Sequence, residues 1–192
     1  MHIAIEGMDG VGKSTIGKLL AERLGFLFVE KPLKDLFDEE ENIKKYQMIA
    51  RKVNSSSNRT FTAWFYGLSN IYVSEKYHEK NIVTDRHIVS NYCWSGTKSN
   101  EDIYDMIINK IGKPTLTIIL YASPQIIKQR LQKRDTDDKD LLKVNLAESA
   151  YEKMIYFCEK KQFNYFVVDT THMDIDMVIR QIMNKIGGLK ID

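Results

Sequence analysis

Cysteine is scarce in this chain. Cys93 and Cys158 are its only two, far apart and without metal-ligand spacing. That pattern leaves no disulfide framework or zinc motif, and it suits core or surface thiols in a reducing compartment. An excess of charge is also missing: 28 Lys+Arg stand against 26 Asp+Glu, a formal net charge of +2. The balance argues against a nucleic-acid binder or a membrane-surface binder. No apolar run approaches the ~18 residues of a membrane span. The first residues enter a strand-like run at once, so no signal or transit peptide is expected. No internal repeat or low-complexity linker divides the sequence. These absences predict a soluble, cytoplasmic protein of one domain, residues 1–192, and 43% hydrophobic residues suffice for a sizeable core.

What is present begins with Gly7-Met8-Asp9-Gly10-Val11-Gly12-Lys13-Ser14-Thr15. It fits G-x-x-x-x-G-K-[ST], between the apolar run at residues 2–6 and a helical pattern over 13–24. Glycines let backbone N–H groups ring an anion, and the following helix aims its positive end there. The loop residues Gly7, Asp9, Gly10, Val11, Gly12, Lys13, Ser14 and Thr15 are therefore candidates to bind ATP. Lys13 would reach the β- and γ-phosphates, and Ser14 would bind Mg2+.

Strand and helix patterns alternate along the rest of the chain. Strands are expected at about 2–6, 26–30, 81–85, 115–120 and 163–169. Helices are expected at about 13–24, 33–52, 59–78, 88–94, 101–111, 124–134, 145–161 and 174–186. Gly25 is a stop signal for the first helix, and Ser123-Pro124 a start signal for a later one. The acidic run Asp38-Glu39-Glu40-Glu41 reads as a solvated face. The helix at 59–78 carries Phe61, Trp64, Phe65, Tyr66, Tyr72 and Tyr77, for which core packing is the default and a base-stacking wall the sharper alternative. The alternation predicts an α/β fold of the P-loop NTPase type. Its five-stranded parallel sheet would carry helices on both faces, with a short lid at about 134–144. Ligands bind such sheets at the carboxyl ends of the strands, where Glu6-Gly7, Glu30, Asp85-Arg86 and Tyr121 fall.

That rim carries the candidate chemistry. Asp85 closes an apolar strand and is a candidate Mg2+ partner, although a helix N-cap would also place it there. Arg86 is a candidate phosphate clamp or a plain surface arginine. Arg130 and Arg134, four apart on one helix face, precede a charged break; they suit a lid closing over phosphates, or a solvated cationic face. Asp9 should point away from the phosphates toward an acceptor hydroxyl. Asp9 or Glu30 would accept a hydroxyl proton or fix a sugar.

The run from Glu6 to Thr15, Asp85-Arg86-His87 with Ser90, Ser123-Pro124 through Arg130 and Arg134, Tyr151, and Val168-Asp169-Thr170 together resemble the thymidylate kinase family. The resemblance spans about residues 3–186. It implies transfer of the ATP γ-phosphoryl group to a nucleoside monophosphate with Mg2+, a role in nucleotide biosynthesis, and a homodimer with the aromatic helix as its contact. It also implies that Asp9 contacts the acceptor sugar, Arg86 holds the acceptor phosphate and Thr170 lies near the adenine. The loop lacks the arginine that some members carry, since Gly10-Val11 stand there. Catalytic charge would then come from Arg130 and Arg134, and Lys139 approximates a later lid arginine. The family's thymine-reading arginine is also missing from Phe65-Tyr66-Gly67-Leu68-Ser69-Asn70, leaving Phe65, Ser69 and Asn70 to face a base.

Two other readings stand beside this one. A deoxynucleoside kinase would use a glutamate after the second strand, which Glu30-Lys31-Pro32 matches imperfectly. A GTPase-like switch would need N-K-x-D, and Asn109-Lys110-Ile111-Gly112 lacks the aspartate.

Overall fold

A computed structural model describes residues 1–37 and 43–188. The acidic run at 38–41 lies outside the described residues. Five parallel strands form one sheet: β1 (His2–Gly7), β2 (Leu27–Glu30), β3 (Ile82–Asp85), β4 (Leu116–Tyr121) and β5 (Tyr165–Asp169), in the order β2-β3-β1-β4-β5. The central strands are buried on both faces, which explains their near-continuous apolar sequences. Register pairs Ile5 with Asp85, Asp85 with Glu30, Gly7 with Leu120, and Tyr121 with Asp169, so the charged strand ends share one rim.

The helices form two groups around the sheet. On one side, α1 (Lys13–Leu24) packs on β1, β2, β3 and α9 (Ile175–Gly187). Ile16, Leu20 and Ala21 repeat at helical spacing and are buried, and Gly25 ends α1 in the left-handed conformation, φ 67°. The second group consists of α4 (Arg59–Lys76), α5 (Ile88–Ser95), α6 (Glu101–Ile111) and α8 (Ala147–Lys160). Tyr92, Tyr104, Phe157 and Phe163 stack between α5, α6 and α8. Two short helices, α2 (Lys34–Phe37) and α3 (Ile43–Asn54), lead into α4. α7 (Pro124–Arg134) is capped by Ser123 and followed by a 3-10 helix at Lys139–Leu146.

Two expectations change. The helix expected to run to residue 78 stops at Lys76, with Tyr77 as its C-cap. Its aromatics are not core residues either. Thr62, Ala63, Gly67, Asn70 and Val73 form the buried stripe, whereas Phe61 is 50% and Trp64 42% exposed. At 100° per residue Phe61, Trp64, Leu68 and Ile71 share the opposite face. Small residues let α4 approach its neighbours closely; Phe61 and Trp64 point outward, while Phe65, Tyr66, Tyr72 and Tyr77 are half-buried along its flanks.

Candidate active site

The loop after β1 turns through Gly10 (φ 85°) and Gly12 (φ 99°), where a side chain would be strained. Gly12 caps α1 without a side-chain hydrogen bond, so the first N–H groups of α1 have no side-chain cap. A helix start of this kind suits phosphate. Lys13 is buried, donates from Nζ to the Met8 carbonyl at 2.7 Å, and lies 3.8 Å from Asp9. Burial, then Arg86, push its pKa down to about 8 against Asp9, Asp85 and Glu6. Ser14 and Thr15 follow on the exposed side of α1.

The Ser14 hydroxyl donates to Asp85 Oδ2 at 2.5 Å, while Asp85 Oδ1 is buried and finds no hydrogen-bond partner. A hydroxyl paired with a carboxylate that keeps an unpartnered oxygen fits a hard cation with oxygen ligands. Among the described residues no group of three His, Cys, Asp or Glu could hold a metal ion, so the remaining ligands would be phosphate oxygens and water.

Arg86 follows Asp85 in a left-handed conformation, φ 71°, unusual for a residue with a Cβ. Its guanidinium donates to the Gly7 carbonyl at 3.0 Å, to Ser90 Oγ at 3.3 Å and to Asp9 Oδ1 at 2.6 Å. Burial works against the charge of Asp9, yet Arg86, Lys13 and Lys143 outweigh it and hold the carboxyl well below the usual carboxylate range. Asp9 therefore joins Lys13 to Arg86. Tyr46 and Tyr66 feel the Arg86 charge as well, and the Tyr66 hydroxyl donates to Asn54 Oδ1 at 2.8 Å.

Thr170 brings α7 to the loop. Arg130 donates to Thr170 Oγ1 at 3.0 Å and to its carbonyl at 2.7 Å, and Thr170 Oγ1 lies 3.3 Å from the Val11 carbonyl. Arg134 is different. It is 57% exposed and pairs with Asp138 and Asp140 on its own segment. Lys143 extends to the loop instead, with Nζ 4.0 Å from Asp9 Oδ2 and 2.9 Å from Asp140 Oδ1. Sequence reasoning passed over Lys143 because its proximity to Asp9 depends on the path of the 3-10 segment.

Glu30 stands at the rim but pairs with Lys31 at 3.0 Å and Lys18 at 3.7 Å. Burial raises its pKa and the lysines lower it, with a net fall. Phe65 stacks on Phe37 with centroids 6.1 Å apart, and Ser69 lies one turn further along that flank. Asn70 belongs to the buried stripe of α4, with Oδ1 unpartnered. The structure thus groups Asp9, Lys13, Arg86 and Ser90, couples Ser14 to Asp85 and Val11 to Arg130 and Thr170, and turns Asn70 away from Phe65 and Ser69. Sequence reasoning placed Glu6 on the rim but gave it no role. A carboxylate in an otherwise apolar strand was the available signal; it is fully buried and accepts hydrogen bonds from the start of α5.

A sequence model of the thymidylate kinase family matches residues 5–182. A Methanocaldococcus jannaschii protein provisionally named an adenylate kinase is 28% identical over 190 residues, covering 99% of this chain and 88% of its own length. A second protein of that organism, provisionally named a thymidylate kinase, is 26% identical over 196 residues, covering 99% of this chain and 96% of its own. Among solved structures, deoxyadenosine kinase from M. mycoides shares the fold with a TM-score of 0.68 at 21% identity, covering 98% of this chain and all of that one. With its phosphate loop, Asp85-Arg86 rim and α7 in the expected order, the chain belongs to the thymidylate kinase family.

Proposed function

We propose that the protein transfers the γ-phosphoryl group of ATP to dTMP or a related (deoxy)nucleoside monophosphate, giving the diphosphate. The observation that carries this is Arg86, a guanidinium fixed between Gly7, Asp9 and Ser90 beside Lys13. A second permanent cation next to the loop lysine suits an acceptor that itself brings a phosphate.

In this reading Gly7 to Thr15 bind the ATP phosphates, with Lys13 on the transferring group and Ser14 and Asp85 holding Mg2+. Bound there, Mg2+ would neutralise charge on the phosphate oxygens. Arg130 and Thr170 line the nucleotide side, joined to the loop at Val11. Asp9 orients Arg86 and meets the acceptor sugar. Arg86 and Ser90 hold the acceptor phosphate, and Phe65 with Ser69 forms the base wall. Residues 134–144 act as the lid of a single domain. Lys143 supports an extension of the lid's cationic role: it shares Asp140 with Arg134, but it also pairs with Asp9 in the loop, while the partners of Arg134 stay on its own segment.

The apolar face of α4 supports a homodimer through that helix, since solvent-facing stripes of this kind mark association surfaces. No helix among the described residues is long and apolar enough to cross a membrane; a cytoplasmic location is part of this reading. A deoxynucleoside kinase remains the second reading. The sheet register favours it to one extent: Glu30 lies opposite Asp85 on the same rim. Assay of the purified protein with ATP and Mg2+ against matched monophosphates and nucleosides separates the two. Diphosphate formed from a monophosphate supports the first, and phosphorylation of nucleosides alone supports the second.

A further inference from the structure

The helix α5 begins without a conventional cap. His87 occupies its N-cap position and makes no side-chain cap hydrogen bond. A helix start buried in this way needs acceptors for its free N–H groups. They come from another element: Glu6 Oε1 accepts from the His87 N–H at 3.1 Å, and Oε2 accepts from the Ser90 N–H at 3.1 Å and from the Ser90 hydroxyl. Glu6 is 0% exposed. A buried carboxylate is costly even when fully hydrogen-bonded, and packing alone would favour an aliphatic side chain there.

The residue between β3 and this cap is Arg86, held at φ 71° in a left-handed conformation that is strained for a non-glycine residue. The Arg86 N–H donates to the Ile5 carbonyl at 2.9 Å, and the next N–H, of His87, donates to Glu6. Ser90 Oγ donates to Glu6 and accepts from the Arg86 guanidinium. Consecutive residues of β1 therefore fix the Arg86 backbone, its following peptide and one side-chain partner. Glu6 makes no hydrogen bond to Arg86; it reaches it through His87 and Ser90.

We infer that Glu6 is a positioning residue for Arg86: by capping α5 from β1 it holds the strained Asp85-Arg86-His87 turn and aims the guanidinium at the acceptor phosphate. This rests on the reading of Arg86 given above. Loss of the cap lets the turn relax toward ordinary backbone angles and carries the guanidinium away from Gly7 and Ser90.

The test is a cycle of four proteins: wild type, Glu6→Gln, Arg86→Ala and the double variant. Gln keeps the size of Glu but presents an NH2 where the cap needs an acceptor. Dissociation constants for dTMP, or for the monophosphate that the acceptor assay selects, and for ATP are measured by calorimetry, so slow variants still give a reading. Glu6→Gln should weaken acceptor binding about tenfold, as displaced positioning groups do, and leave ATP binding within about twofold. In the Arg86→Ala background the same change should cost less than about twofold, because residues acting through one another are not additive. Equal losses for both nucleotides, or a full tenfold loss in the Arg86→Ala background, would overturn the inference. If Glu6→Gln does not fold, Glu6→Asp, which keeps the charge but shortens the reach to the His87 and Ser90 N–H groups, is measured in both backgrounds. A selective acceptor loss confined to the Arg86-containing protein supports the inference, and an equal loss in both contradicts it. Arg86→Ala alone with unchanged acceptor affinity contradicts the acceptor-phosphate reading itself, a separate failure.

Discussion

Arg134 and Lys143 lie on the same segment, and their neighbours give them different prospects. Arg134 already has two carboxylate partners, Asp138 and Asp140, and these would have to be released before it served a phosphate. Lys143 also pairs with Asp140, but its Nζ lies 4.0 Å from Asp9 Oδ2 beside the loop, whereas both partners of Arg134 are on its own segment. Lys143→Met should therefore lower kcat by on the order of 10²-fold, the scale seen when one transition-state donor is removed. Arg134→Ala should lower it by less than about fivefold, since an exposed ion pair stabilises little. Steady-state kinetics with saturating nucleotides makes the comparison, and a larger loss for Arg134→Ala would return the catalytic charge to that residue. At this scale the sequence was informative where function depends on adjacent residues. Gly10, Gly12, Lys13 and Ser14 could be read because one short turn contains the whole G-x-x-x-x-G-K-S pattern. The roles of Glu6 and Lys143 were not legible because their partners lie far along the chain: the His87 N–H that donates to Glu6 is 81 residues away.

The element of greatest consequence beyond the site is α4. Its sequence suggested a buried aromatic stripe, yet Thr62, Ala63, Gly67, Asn70 and Val73 face inward. Aromatic content indicates apolar surface, but it does not say whether the same chain covers that surface. The five strands and the order of helices were legible, because apolar runs and helical periodicity are local signals. The outward face of α4, with Phe61, Trp64, Leu68 and Ile71, was not. It should pack against a second copy, so light scattering should report a dimer for the wild type. Phe61→Glu combined with Trp64→Glu should shift it to monomer with the fold retained, because neither side chain is part of the core. A monomeric wild type at high concentration would refute the dimer.

Over the whole molecule, buried titratable groups tie stability to pH. Burial raises the Glu6 carboxyl from 4.5 to about 7, against Ser90, Arg86 and His87. The folded state therefore binds this proton more tightly than the unfolded chain. Its contribution is complete below about pH 4.5 and is lost as pH rises through 7. His2 acts in the opposite direction: burial lowers it from 6.5 to about 4, so its contribution is present above pH 6.5 and lost as pH falls through 4. Comparing wild type with Glu6→Gln isolates the first effect. From pH 4.5 to 7.5 the wild type should lose up to about 3 kcal/mol relative to the variant. Denaturant unfolding at a series of pH values measures this, and parallel stability curves would exclude it. Function is the property of the whole fold that the rim, the loop and α7 produce together, and one assay bears on it most directly. Purified protein is incubated with ATP, Mg2+ and, separately, dTMP, AMP, dCMP, dGMP, thymidine, deoxyadenosine and deoxycytidine, with products resolved by chromatography and Lys13→Ala as control. The expected result is ADP with a nucleoside diphosphate from at least one monophosphate, absent from the Lys13→Ala reaction. Phosphorylation of nucleosides alone, or diphosphate formation undiminished in Lys13→Ala, would contradict it.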